Sequence, residues 1–178
     1  SAVAVTEQVL ERGAEIVSVR GRDGEKPQQR FDAGPCKNRF AQIPLAVLVN
    51  GGSASAAEIV AGALKAHKRA VLVGETTYGK ASVQNVIKLA LRPECAVRLT
   101  TGYYYTPDGA MIHGKGIVPD VEVPVSKSAW RQTQMRRLFE EMPGAASSGM
   151  TNMVNEVRDM QLERAQELLK SARILNNG

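Results

Sequence analysis

Residues 44–75 read PLAVLVNGGSASAAEIVAGALKAHKRAVLVGE, and the order of patterns inside this stretch decides the fold class. PLAVLVN (44–50) is a continuous apolar run of the kind found in a strand buried on both faces. It ends at Gly51-Gly52, after which SASAAEIVAGALKAHK places Ala, Ile, Val and Leu at helical period to about residue 66. RAVLVGE then supplies a second buried strand over 69–74. Strand, helix, strand in that order predicts a crossover connection and a partly parallel sheet, hence an α/β core.

Upstream, AVAVTEQVL (2–10) has apolar groups at helical spacing with Gly13 as a stop, and AEIVSV (14–19) reads as a strand. Residues 20–42 are a polar excursion through RGRDGEKPQQ. Downstream, AVRLTTGYYYT (96–106) reads as a further strand ended by the turn Pro107-Asp108-Gly109, and a short strand is expected near 121–124. From about 126 the character changes to a helical stretch, a loop PGAASSG (143–149) and a second amphipathic helix. Its apolar stripe, Val154, Val157, Leu162, Ala165, Leu168 and Leu169, reads as a packing face. Two units result, a core over 1–125 and a C-terminal helical extension over 126–178.

Composition narrows the function classes. Among 178 residues, 43% are hydrophobic and 23% charged, an ordinary globular balance. Only 4% are aromatic, which argues against a stacking platform for single-stranded nucleic acid. The net charge of +5 is scattered among acids and never forms a block, so no nucleic-acid partner is expected. Cys36 and Cys95 stand in PCKN and PECA without Cys/His companions, so no zinc or other metal is expected; paired or free thiols both remain open. No run approaches the length of a membrane span. The chain opens on Ser1 without a methionine, which predicts a mature or excised piece.

Three motifs carry candidate chemistry. In VGETTYGKAS (73–82), Gly74, Gly79 and Lys80 fall on G-x-x-x-x-G-K, the spacing of a phosphate-binding loop. Position 81 is Ala, however, where the magnesium-binding hydroxyl belongs, and no strand ends in the expected second-site Asp. In NGGSASAAE (50–58), Ser55 and Glu58 fit a capping box. The same residues fit a nucleophile elbow, in which Gly51 and Gly52 allow a sharp turn, Ser55 attacks and the amide of Ala56 holds the oxyanion. A serine needs a base. Of the two histidines, His67 lies at the polar end of the helix and His113 in a turn. Lys80, at the end of a strand that should neighbour the one leading to Ser55, can serve where burial disfavours its ammonium form. Gln84 lies on the same side of an extended chain as Lys80 and can accept a hydrogen bond from its amine.

VNGGSASAAEIVAGALKAHKRAVLVGETTYGKASVQ resembles the signature of the carboxyl-terminal processing proteases, tail-specific serine endopeptidases of the S41 family. The likeness extends through RGRDG, YYTPDG and GKGIVPDVEV and covers most of residues 1–125. It implies a crotonase/ClpP-like mixed sheet flanked by helices and a Ser-Lys dyad working through an acyl-enzyme. Ser55 would be the nucleophile, Lys80 the base and Gln84 its orienting partner. It also implies cleavage near the C-termini of protein substrates, without cofactor or nucleotide. The implied location is the bacterial periplasm or cell envelope, or alternatively the thylakoid lumen. The chain departs from the pattern at Ala81, where the family usually has glycine. It also lacks the family's upstream PDZ domain and D-L-R-x-N-x-G-G segment, one glycine of which the resemblance implies as the second oxyanion donor; peripheral membrane association through these missing regions is a further expectation. The expectation is a catalytic core cut at its front edge, poorly active alone. The competing readings are a noncatalytic ligand- or peptide-binding module of the same fold and, remotely, a P-loop nucleotide-binding protein.

Overall fold

The computed structural model describes residues 1–21, 27–35, 40, 43–90, 92–141 and 158–176. The stretch that decided the fold class forms β3 (Ala46–Val49), α2 (Ala56–Ala66) and β4 (Val71–Gly74). β3 and β4 pair in parallel with Ala46 opposite Val71 and Val49 opposite Gly74, and β7 (Val121–Glu122) joins β4 in parallel, giving the order β3-β4-β7. A second, antiparallel sheet runs β2-β1-β6-β5. It comprises β1 (Glu15–Arg20), β2 (Pro27–Asp32), β5 (Ser82–Leu89) and β6 (Arg92–Tyr105). The predicted α/β mixture of parallel and antiparallel strands flanked by helices therefore holds, with the strands divided between two sheets.

α2 lies between them because it carries two apolar faces. Ala63 and Leu64 pack with Ile16, Val17 and Leu10, while Ala61 packs with Val49, Leu72, Ile112 and Ile117. Ile16, Leu72 and Val73 are fully buried, each contributing about 2 kcal/mol through removal of apolar area from water. Burial on both faces thus belongs to β4. β3 is an edge strand, and its residues 46–48 are only half-buried.

Three other elements differ from expectation. α1 (Ala2–Thr6) stops short of residue 10, since Thr6 turns its hydroxyl back onto the Ala2 carbonyl at 2.9 Å and the segment is rich in β-branched residues. Leu10 still reaches the core. β2 forms inside the polar excursion; it is an exposed edge strand held by ladder bonds to β1 and an Arg30–Glu15 ion pair at 3.1 Å, none of which apolar alternation would reveal. β5 precedes the predicted 96–106 strand and makes a hairpin with it.

α3 (Lys127–Glu141) and α4 (Met160–Asn176) follow, and an Arg137–Asp159 ion pair links them. α4 packs on β3 and β4, with Gln161 Nε2 donating to the Val123 carbonyl at 3.0 Å. Ala165 is buried, and Leu168 and Leu169 half-buried, as the stripe predicted. Leu162 is instead exposed and Gln161 takes the inward position. Loop 143–149, Val154, Val157 and Cys36 lie outside the described residues, and Cys95 is an exposed free thiol.

Candidate active site

The parallel pairing of β3 and β4 brings two loops to one sheet edge. Val49 is opposite Gly74, and six residues beyond each stand Ser55 and Lys80. The loops stay side by side: Glu75 N–H donates to the Val49 carbonyl at 2.9 Å and Tyr78 N–H to the Ser53 carbonyl at 2.9 Å. The first loop is tightened by Asn50, whose backbone N–H donates to Ser53 Oγ at 3.1 Å and whose Oδ1 accepts from Gly52 N–H at 2.8 Å.

Ser55 caps α2 with φ 57° and ψ −114°, a conformation rare for a residue with a side chain. Such geometry costs about 1–3 kcal/mol and persists only where its surroundings enforce it. Sequence reasoning placed this turn on Gly51 and Gly52, but neither has positive φ; the strain sits on the serine itself. Ala56 opens the helix, so its N–H belongs to the first turn, whose donors have no intrahelical acceptor.

Bonded to this turn is Glu58, fully buried in the first turn of α2. Its Oε2 accepts from Ser55 N–H at 3.0 Å and from Lys80 N–H at 2.8 Å. Its Oε1 accepts from Gly79 N–H at 2.6 Å and from Thr77 Oγ1–H at 2.5 Å. The backbone nitrogens of Ser55 and Lys80 therefore lie no farther apart than the sum of two hydrogen bonds to one oxygen. Thr77 Oγ1 in turn accepts from Ile117 N–H at 2.7 Å, which ties in the Gly114–Ile117 loop. A capping box accounts for only one of these bonds. The overlooked signal was periodic: Glu58 stands three and four residues before Ala61 and Gly62, so it lies on the buried stripe of α2.

The side chains themselves are less gathered. Ser55 is half-buried, while Lys80 and Gln84 are exposed, so the burial on which a lysine base was made conditional is not seen. Among the described residues no hydrogen bond joins the Ser55 hydroxyl, the Lys80 amine and the Gln84 amide. Gln84 lies on β5, opposite Thr100 and beside a register irregularity. Ala81 is fully buried and does not have positive φ, so no torsion is lost to its missing glycine.

The two histidines stand in different places. His67 ends α2, roughly 18 Å along the axis from Ser55 at 1.5 Å per residue, with its Nε2 2.7 Å from the Glu15 carbonyl. His113 accepts from Ala81 N–H at 3.4 Å through Nδ1 and lies against the Tyr103 ring.

The phosphate-loop reading fails on three counts. Lys80 leads into β5 rather than into a helix. Gly74, at φ +136°, is pressed on the Val49 carbonyl. Gly79, at φ +85°, would place a side-chain carbon 2.7 Å from Gly116 N. Both glycines serve close approach of protein backbone, and no cradle is left for a phosphate.

Three comparisons bear on this arrangement. The family model for peptidase family S41 matches residues 1–123. The chain is 50% identical over 122 residues to a carboxy-terminal-processing protease of Bartonella bacilliformis, covering 68% of this chain and 27% of that protein. It is 39% identical over 127 residues to the chloroplastic carboxyl-terminal-processing peptidase 1 of Arabidopsis thaliana, covering 71% of this chain and 24% of that protein. Among solved structures, the photosystem II D1 C-terminal processing protease matches with a TM-score of 0.62 and 35% identity, covering 69% of this chain and 30% of that one. The chain spans about a quarter of the length of these curated relatives.

Proposed function

Because this chain belongs to peptidase family S41, we propose that it carries the catalytic dyad of a serine endopeptidase that cleaves near the C-termini of protein substrates. The observation that carries the reading is the strained Ser55 at the mouth of α2, with Lys80 on the adjacent loop and both backbones bonded to one carboxylate oxygen.

In this mechanism Lys80, as the neutral amine, takes the proton of Ser55 Oγ while that oxygen attacks the scissile carbonyl. The tetrahedral oxyanion receives the N–H of Ala56 at the start of α2, reinforced by the helix dipole. Collapse breaks the C–N bond, Lys80 returns its proton to the leaving amine, and an acyl-enzyme remains on Ser55. Water then adds with Lys80 again accepting a proton, and the acid is released. Gln84 steadies the lysine amine through its carbonyl oxygen. A groove of about 430 Å³, lined by Asn50, Gly51, Gly52, Glu75, Val125 and Trp130, adjoins the turn before Ser55 and is open to an extended peptide. The bacterial and chloroplastic relatives support an envelope, periplasmic or thylakoid-lumen location.

One observation favours a noncatalytic peptide-binding module of the same fold, namely that the Lys80 side chain stands exposed. Mutagenesis of the full-length protein carrying this chain separates the two. Ser55→Ala and Lys80→Ala should each stop cleavage of a peptide with an apolar C-terminal tail, with folding intact. Full activity in both variants would remove the dyad.

A further inference from the structure

We propose that Glu58 is the positioning residue of the site, a buried carboxylate that clips the nucleophile's turn to the base's loop. The inference rests on the dyad reading above.

A fully buried carboxylate is costly unless its oxygens are satisfied. Here each oxygen accepts from two groups, and the division of partners is informative. Oε2 holds Ser55 N–H and Lys80 N–H, the two backbone positions whose side chains must meet. Oε1 holds Gly79 N–H and Thr77 Oγ1–H, which shape the loop that delivers Lys80. Thr77 passes the constraint on to Ile117 N–H. Three segments distant in sequence, the start of α2, residues 77–80 and the loop before Ile117, therefore converge on one side chain. The carboxylate also sits in the first turn of α2, where the helix dipole favours negative charge. An ordinary capping-box glutamate would bond back only to its own N-cap. This one spends three of its four bonds on a different segment, and its bond to Ser55 N–H falls on the residue with φ 57°.

Glu58 touches no reacting atom, so its contribution is to the distance and direction between Ser55 Oγ and Lys80 Nζ. Glu58→Gln preserves volume but places an amide donor against a pair of donors at one oxygen. In the full-length protein, this variant should lower kcat about 100-fold with KM within about threefold, because a displacement near 1 Å at a reacting pair costs that much. Its kcat-pH profile should be displaced from the parent's, as the base sits in a changed setting. Thr77→Val, which removes one Oε1 donor, should lower kcat about tenfold with the same KM behaviour.

Parent-like kcat and pH profile in folded Glu58→Gln would overturn the proposal, and if that variant does not fold, parent-like kcat in Thr77→Val would do so. Ser55→Ala and Lys80→Ala, run alongside, keep the two readings apart. If both are inactive while Glu58→Gln and Thr77→Val behave as the parent, the dyad stands and the clip falls. If both remain active, the dyad itself falls, and the clip with it.

Discussion

The two ends of α2 use the same backbone device to different ends. Ser55 at the N-terminal end has φ 57° and Lys68 just past the C-terminal end has φ 52°, and they are the only non-glycine residues with positive φ among those described. At the C-terminal end the bonds are those of an ordinary Schellman stop. Lys68 N–H donates to the Lys65 carbonyl at 2.9 Å and Arg69 N–H to the Leu64 carbonyl at 2.8 Å, with a lysine where glycine is usual. At the N-terminal end the torsion is held by a buried carboxylate that also grips another loop. Strain alone therefore does not mark a site. What distinguishes Ser55 is that distant parts of the chain are committed to keeping it strained.

The sharpest break of this comparison is Ser55→Ala, expected to cut kcat by roughly 10⁴-fold or more while leaving the unfolding midpoint nearly unchanged; a peptide-cleavage assay beside a urea melt checks both halves. Next come the glycines that seat the Lys80 loop. Gly79→Ala and Gly116→Ala each drive a side-chain carbon into facing backbone, against Gly116 N and Ile112 O in one case and the Thr77 carbonyl in the other. Each should destabilise by about 3 kcal/mol or more, from overpacking added to positive-φ strain, read as a fall in the denaturation midpoint.

Lys68→Gly acts in the opposite sense at the far end. It relieves a left-handed lysine and should stabilise by up to about 1 kcal/mol with cleavage unaffected. Loss of activity there would mean that strain at both ends is functional. The smallest effect lies at the start of another helix. Asp159 stands just before α4, its Oδ1 accepting from Leu162 N–H at 3.0 Å, and the hydrogen bond from Arg158 holds the Glu163 carboxyl below its ordinary range. A depressed carboxyl stabilises above its unfolded pKa, and that contribution is lost as pH falls through the folded one. Any difference in midpoint between the parent and Glu163→Gln should accordingly be slight at pH 7 and vanish in acid.

The parts legible in sequence were those where a local pattern and the tertiary outcome coincide. AVLV at 46–49, the Ala-rich α2 and VLVG at 71–74 each form the element their periodicity predicts, and their order fixes the parallel pairing that brings the Ser55 and Lys80 loops together. β2 was invisible because PQQRFD earns its place through ladder bonds and carries almost no apolar signal. The hairpin of β5 and β6 was half-seen, since Val86, Ile87, Leu89, Val97 and Leu99 are all at least 40% exposed and so obey no inside-outside alternation. In the site, Ser55, Lys80 and Gln84 were nominated from spacing and resemblance. Glu58 was read as a cap, because three of its four partners come from 19 to 22 residues away, beyond the reach of any helical motif.

The packing of α4 bears on how this protein is divided. Residues 1–123 match the family model, yet Gln161 donates to the carbonyl of Val123, the last residue of that match, and α4 lies along β3 and β4. The portion shared with relatives and the portion that is physically closed thus have different borders. A chain trimmed at the border of resemblance would keep every proposed catalytic group and lose the helix that shields the strands presenting them.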